Sequence, residues 1–365
     1  MAALTAALGT GSAPFGDPGR LHEEGRRSRV AVEEAREQVA ALVGTRPRQV
    51  VFTSGGTEAV NAAVWGAGRA RPGGASVLAA VEHSSVRDAA RRAGPVLEVP
   101  VDGLGRLDPT AVDDVLDAAA RSGTAPALVH CQLANHEVGT CQPVGAVAEV
   151  CRRRGVALHV DACAGAGHLP LDLEDLGADL VSVSAHKLGG PAGVGALVLR
   201  RGLRIEPLVV GGDQERARRA GIENVAGIVG FGAAAAVLCA PGRLDAEAAE
   251  ARRRSGGLLA AATAVGGVAV LGDPEDRAPH IVCVAVEGVE AEAVLLGLDG
   301  AGVAAHSGSA CSSESLAPSP VLEAMGVDAE RSLRLSVGWS TTDDDVAAFA
   351  VAFPGVVASL RALRG

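Results

Sequence analysis

The sequence predicts an α/β protein built on a mainly parallel, doubly wound sheet, and three observations carry that prediction. Short apolar runs alternate with helix-compatible stretches through the first two thirds of the chain. Several of these runs lead into small, polar or charged residues suited to ligand contact. After about Gly242 the alternation gives way to one long Arg/Ala-rich stretch and shorter strands. Alternating strand and helix favours a sheet flanked by helices, with ligands at the carboxyl ends of its strands.

Taken in order, Arg26–Leu42 has helical periodicity, with charges on one face and Val, Ala and Leu on the other. Val50–Thr53 is a short apolar run ending in Ser54-Gly-Gly-Thr57, and a helix is expected over Glu58–Gly66. Further strand-like runs fall at Ser76–Ala80, Val96–Val101, Ala127–Cys131, Val156–Val160 and Asp179–Ser184. Asn224–Gly242 is uncharged and rich in Gly and Ala, which suits a helix packed inside protein better than a membrane span. Strands near Ile281–Val286 and Leu333–Val337 and a last helix from Thr342 complete the second part. These boundaries predict a large domain over residues 19–242 and a smaller α+β domain over 243–365, with residues 1–18 as a short N-terminal segment.

Composition narrows the function classes. A chain of 365 residues with 48% apolar content can bury a large core, and a formal charge of −10 argues against a nucleic-acid surface. The first 19 residues lack the basic start of a secretory signal, and no membrane association is expected. Seven cysteines without a CxxC pair fit reduced thiols in a cytoplasmic protein. Six of them stand among apolar or small residues and read as core filler. Cys311, in Ser307-Gly-Ser-Ala-Cys311-Ser-Ser-Glu-Ser, reads as an accessible thiol on a loop.

The strongest single signal is Lys187, the one lysine among 33 basic side chains, in Ser182-Val-Ser-Ala-His-Lys187-Leu-Gly-Gly. Arginine serves wherever only charge is wanted, but a guanidinium is not a usable amine nucleophile. An arginine-rich coding bias that left one lysine behind is the bland alternative. The strand ends weigh against it. Thr53-Ser-Gly-Gly-Thr57 opens a helix and offers Gly56, Thr57 and the helix dipole to a phosphate. Asp161 ends another strand, where a buried carboxylate needs a cation such as a pyridinium N–H. With no tyrosine and few aromatics, ring stacking falls to a histidine such as His83. His159, Asp161 and Cys163 share a strand face if the strand runs that far, so a metal site is the competing reading, though no second ligand pair lies nearby in sequence. An amine, a carboxylate, a stacking imidazole and a phosphate cup are together what pyridoxal 5′-phosphate requires.

Thr53-Ser-Gly-Gly-Thr-Glu58, Glu82-His-Ser-Ser-Val86, Glu137-Val-Gly-Thr140, His159-Val-Asp161, Ser184-Ala-His-Lys187, Arg219-Ala-Gly221, Ser307-Gly-Ser-Ala-Cys-Ser312 and Arg334-Leu-Ser-Val-Gly338 resemble the cysteine desulfurases, class V aminotransferase-like enzymes of fold-type I. The likeness runs from about Gly19 to the last helix and points to the branch whose cysteine lies on a longer loop. It implies conversion of L-cysteine to L-alanine, with the sulfur left as a persulfide on Cys311 for a sulfur-acceptor protein, as in iron–sulfur cluster assembly. Lys187 would hold pyridoxal 5′-phosphate covalently and shuttle the Cα proton. Asp161 would pair with the ring nitrogen, and His83 would stack and assist proton transfer. Gly56, Thr57, Ser184 and His186 would hold the phosphate, and His136 would support the phenolic oxygen. Arg334, with Asn135 beside it, would bind the substrate carboxylate. Homodimers with the site at the subunit interface are implied as well.

The match has departures. His136 stands where the family has a second asparagine, Ala164 where it has glutamine, Ile222 where it has threonine, and Trp339 where many members have arginine. The usual Leu-Asp-x-Ala-Ala-Thr-Thr-Pro opening is absent. Other class V chemistries (selenocysteine lyase, desulfinase, aminotransferase) and a non-catalytic scaffold paralogue are the alternative readings. A nucleophilic thiol at Cys311 distinguishes desulfuration from aminotransfer.

Overall fold

The structure, a computed structural model of the chain, describes residues 16–307 and 318–363. Helix α1 (Glu23–Leu42) is followed by β1 (Val50–Thr53), α2 (Gly56–Ala70), β2 (Ala75–Ala79), α3 (Ser84–Ala93) and β3 (Val96–Val99). Then come α4 (Pro109–Arg121), β4 (Pro126–Gln132), α5 (Val144–Arg154), β5 (Ala157–Asp161), β6 (Leu180–Ser184) and β7 (Gly195–Leu199). These seven strands form one sheet in the order β1-β7-β6-β5-β4-β2-β3. The predicted strands fall within two residues of the observed ones. The seventh, β7, was not expected, and it runs antiparallel to both its neighbours, β1 and β6.

The sheet is covered on both faces, which is why its central strands are continuously apolar instead of alternating. Val60, Val64 and Val86 of α2 and α3 pack with Leu78 on one face. On the other face, Val32 and Val39 of α1, Leu116 of α4, Val147 of α5 and Phe231 lie over Val129, Val160 and Val183. Phe231 belongs to α6 (Val225–Leu238), the Gly/Ala-rich helix, which packs closely on α1. A Cβ on Gly232 would come within 2.6 Å of the Ala35 Cα, so glycine sets that approach.

Chain direction then turns sharply into α7 (Arg243–Thr263), bent 85° from α6. Strands β8 (Val268–Leu271), β9 (Ile281–Val286), β10 (His306–Ser307) and β11 (Ser332–Ser336) make a second, antiparallel sheet in the order β10-β11-β9-β8. Helices α8 (Ala291–Gly300) and α9 (Asp343–Ala362) accompany it. Leu258, Val284, Leu298, Leu333, Phe349 and Phe353 form a core separate from that of the first sheet. Helix α9 is long and apolar enough, by length and composition, to cross a membrane, yet Phe349, Phe353 and Val357 are buried in this second core.

Two features fix the entrance to the first sheet. Glu215 is buried, takes both guanidinium nitrogens of Arg36 (2.6 and 2.8 Å) and accepts the Phe52 N–H at 2.9 Å. The chain delivers it through three successive left-handed residues, Glu215, Arg216 and Ala217, with φ of 49°, 59° and 59°. Left-handed geometry costs roughly 1–2 kcal/mol per non-glycine residue. The buried, doubly hydrogen-bonded ion pair holds the turn in place against that cost.

Candidate active site

The functional side chains converge where β1, β2, β4, β5 and β6 end. At the end of β1, Thr53 Oγ1 donates to Gly55 O (2.9 Å), and Glu58 Oε2 accepts the Ser54 N–H (2.8 Å), shaping the turn into α2. Arg219 grips the same Glu58 carboxylate with two nitrogens at 2.8 and 3.1 Å. A side chain at Gly56 would force Cys163 aside, because its Cβ would lie 2.4 Å from Cys163 Sγ, whereas a Cβ on Gly55 would meet nothing within 4 Å. The helix N-terminus therefore opens toward free space. Ser184 at the end of β6 and His186 complete the polar rim, joined by an Oγ···Nδ1 contact of 3.0 Å.

Asp161 closes β5, level with Gln132 of β4 and Ser182 of β6. It is 7% exposed, accepts the Cys163 N–H at 2.9 Å, and no cation among the described residues forms an ion pair with it. A buried carboxylate without a counter-charge is costly, so this group fits an arriving ring N–H. His83 caps α3 by accepting the Ser85 N–H on Nδ1 (3.0 Å), which leaves the proton of a neutral ring on Nε2. Its ring meets His136 edge-to-face, centroids 4.7 Å apart. With Lys187 in the 3₁₀ turn Ala185–Leu188 after β6, the set suits pyridoxal phosphate: amine, unpaired acid, stacking ring, and hydroxyls at a helix N-terminus.

The substrate side is tied to the second sheet. Arg334 of β11 donates from Nη1 to His136 O at 3.0 Å. Asn135, expected to bind substrate, is fully buried; its oxygen takes the N–H groups of Glu137 and Val138, and its nitrogen donates to Val81 O. Its described bonds thus hold the loops that carry His83 and His136. Ile222, the expected interface position, is 64% exposed. Cys311 lies outside the described residues.

Five of the other six thiols are held in the protonated form by burial. Burial pushes Cys141, Cys151 and Cys283 up to about 12, and Cys131 and Cys163 well above the usual thiol range. Asp161 adds to the effect on Cys163, and the Lys187 charge only partly offsets it. One expectation fails here: Cys239, read as core filler, is exposed at the end of α6, where the chain leaves the helix. The metal reading of His159, Asp161 and Cys163 also fails, since no group of three metal-ligating side chains exists among the described residues. His159 points its Nδ1 at His130 (3.0 Å) and its Nε2 at Ser182 Oγ (2.8 Å) instead.

Sequence reasoning gave no role to Glu82. It is fully buried, its Oε1 accepts the Gln132 N–H at 2.7 Å, and its Oε2 has no partner. Burial, then the charge of Asp161, raises its pKa from 4.5 to about 8, so it is a neutral acid at pH 7. The position beside His83 was the only signal available, since burial of a charge-bearing residue cannot be read from one sequence. The sign of the pH effect follows. The folded protein keeps a proton that the unfolded chain has released, so this part of the stability is complete below pH 4.5 and lost as pH rises toward 8. Glu82→Gln, which keeps the acceptor oxygen, is expected to remove roughly 2–3 kcal/mol of stability difference between pH 5 and pH 7. Urea unfolding of the cofactor-free protein at both pH values measures it, and identical pH dependence in the two proteins would refute it.

Comparison with known proteins agrees with this geometry. The aminotransferase class-V family matches residues 15–349. The cysteine desulfurase IscS 1 of Archaeoglobus fulgidus is 38% identical over 358 residues, covering 96% of this chain and 91% of the relative. The cysteine desulfurase of Cereibacter sphaeroides is 40% identical over 371 residues, covering 99% and 93%. Among solved structures, a NifS-like protein from Rickettsia africae superposes with a TM-score of 0.86 at 26% identity, covering 97% of this chain and 94% of the other. With a strand-end lysine, an unpaired aspartate and a glycine-lined helix start in place, and relatives of this identity along nearly its whole length, the chain belongs to the class-V aminotransferase family and, within it, to the cysteine desulfurases.

Proposed function

We propose that this PLP-dependent enzyme desulfurates L-cysteine to L-alanine by passing the sulfur to Cys311, and that a sulfur-acceptor protein then takes it from there. The observation that carries the assignment of the thiol is that burial keeps Cys131, Cys141, Cys151, Cys163 and Cys283 protonated, and the remaining described cysteine, Cys239, is an exposed residue at the end of α6. A thiolate is the nucleophile in sulfur transfer. Cys311, in its run of serines, glycine and alanine, is the remaining cysteine.

Pyridoxal phosphate, when bound, supplies an electron sink that weakens the bonds at Cα and Cβ of the amino acid. The protein's groups do the rest. Arg334 receives the substrate carboxylate in a charge-assisted pair. Asp161 would pair with the ring nitrogen and favour its protonated form, and His83 would stack on the ring and assist proton transfer. Lys187 would hold the cofactor through its amine, the one primary amine on a side chain, and would serve as the base and acid for the Cα proton. The Cys311 thiolate attacks the substrate sulfur: an S–S bond forms, the Cβ–S bond breaks with its electron pair going to carbon, and protons delivered to carbon give alanine. A reducing, cytoplasmic setting keeps the thiol available for the next turnover.

The partner subunit is proposed from the surface. Leu21, Val30, Val210 and Ile222 are 88%, 56%, 75% and 64% exposed, and Ile222 follows Arg219, which grips the phosphate turn through Glu58. Apolar exposure of this kind beside a site suits a second copy of the chain. The test is direct. Protein loaded with PLP and given L-cysteine and a thiol reductant should form alanine and sulfide in equal amounts, while sedimenting at twice 36.4 kDa. Pyruvate in place of alanine, or no turnover at all, would overturn the desulfurase assignment for this chain.

A further inference from the structure

One contact outside the cofactor pocket joins the two sheets at the level of the reactive amine. His168, in the loop after β5, and His280, just before β9, lie with their rings nearly parallel, 17° apart, and their centroids separated by 3.6 Å. They are 112 positions apart in the chain, in loops that adjoin strands of different sheets. His168 Nε2 is 3.3 Å from the carbonyl oxygen of Lys187, so it carries the proton and donates. The backbone of His280 accepts the Val337 N–H at 3.0 Å, where β11 ends three residues beyond Arg334. In the sheet itself Arg334 pairs with Cys283 and Ser336 with Ile281.

A second contact spans the same seam. Trp339 lies over Gly189, two residues past Lys187; a Cβ there would sit 3.3 Å from the indole Cδ1, and φ of +84° already requires glycine. Both ring Nδ1 atoms of the histidine pair are buried without hydrogen-bond partners. An unpartnered buried nitrogen is least costly when it carries no proton, so two neutral rings stack here. Burial, reinforced by His168, Lys187, Arg334 and Arg277, holds His280 well below the ordinary imidazole range. Burial likewise lowers His168, against the opposing pull of the Lys187 carbonyl and Glu247.

We propose that His168 and His280 are positioning residues whose stack couples the turn carrying Lys187 to the strand carrying Arg334, setting the distance between amine and carboxylate clamp. The inference rests on the roles of Lys187 and Arg334 given above. Stacked rings keep the second sheet in register with the amine; without them only the Arg334–His136 and Trp339–Gly189 contacts described above hold the clamp, and the substrate is held in a wider range of poses.

Two variants test it. His280→Ala removes the ring, and His280→Phe keeps a flat ring that can stack. In cofactor-free protein, hydrogen exchange in His280→Ala should rise about five-fold both in residues 184–190 and in residues 332–341, and stay unchanged in residues 50–57. His280→Phe should restore most of the protection in both segments. In loaded enzyme, His280→Ala should raise KM for L-cysteine about five-fold more than it lowers kcat, with His280→Phe close to wild type. Faster exchange confined to residues 278–283, or a Phe variant indistinguishable from Ala, would overturn the coupling. If exchange behaves as stated but even the wild type fails to turn over cysteine, the functional assignment falls and the coupling stands.

Discussion

Lys187→Arg is expected to lose at least about 1000-fold in cysteine turnover while remaining folded. The substitution keeps a positive charge on a long flexible stem, so the turn Ala185–Leu188 has every reason to persist, with Gly190 N–H still bound to Ala185 O at 2.9 Å. What disappears is an amine that can bond to the cofactor aldehyde and carry a proton, because a guanidinium stays protonated throughout the accessible pH range. Loss of a positioned acid–base group alone accounts for 100- to 10,000-fold, roughly 3–5 kcal/mol. Because the chain has a single lysine, the chemistry has an internal control. Borohydride treatment of the wild type should fix pyridoxyl on the peptide containing Lys187, and in the variant on no internal peptide. Retained label or retained turnover in Lys187→Arg would remove the basis for the assignment.

Cys311→Ser should abolish sulfide formation to a comparable degree and leave cofactor binding intact. A hydroxyl is a far weaker nucleophile toward sulfur than a thiolate, and Lys187, Asp161 and the α2 turn are untouched. Mass spectrometry of wild type exposed to cysteine without reductant should find one extra sulfur atom on the Cys311 peptide. Cys163 is the informative comparison: it borders Gly56, yet burial and Asp161 keep it a thiol. Exposed Cys239 is the harsher control, because access alone would label it. Extra sulfur on Cys239 or Cys163 in place of Cys311, or full activity in Cys311→Ser, would refute the persulfide route.

Most of the first sheet was legible in the sequence because buried parallel strands are short, continuous apolar runs bounded by small polar residues. Val50–Thr53 and Ile281–Val286 coincide with β1 and β9. Strand β7 escaped because Gly195-Ala-Leu-Val-Leu is a short run that closely follows a glycine-rich turn, with no helical stretch to set it apart from β6. The site was legible wherever a residue type was unusual for its surroundings: the lone lysine, an aspartate closing an apolar strand, two glycines opening a helix. Pairings were not. Nothing in one sequence brings His168 to His280, His130 to His159, or Cys163 against Gly56, because each depends on how separate segments meet. Asn135 shows the converse. The family resemblance implied substrate contact, and the residue's described bonds, which no single sequence shows, tie its amide to backbone.

The pairing of β1 with β7, and of Phe52 N–H with Glu215 across 163 positions, has a consequence for birth on the ribosome. The stretch that becomes the phosphate turn is translated early, yet the strand beside it and the carboxylate that anchors it emerge last among the parts of the large sheet. At about 5–20 residues per second the first strand waits roughly 10–30 s without its neighbour. Nascent chains truncated before residue 195 would expose a bare apolar edge to chaperones, whereas those extended past residue 215 could close the sheet and capture the vitamin-derived cofactor. The neighbours that fix the phosphate turn are thus complete only after more than half of the 365 residues have been made.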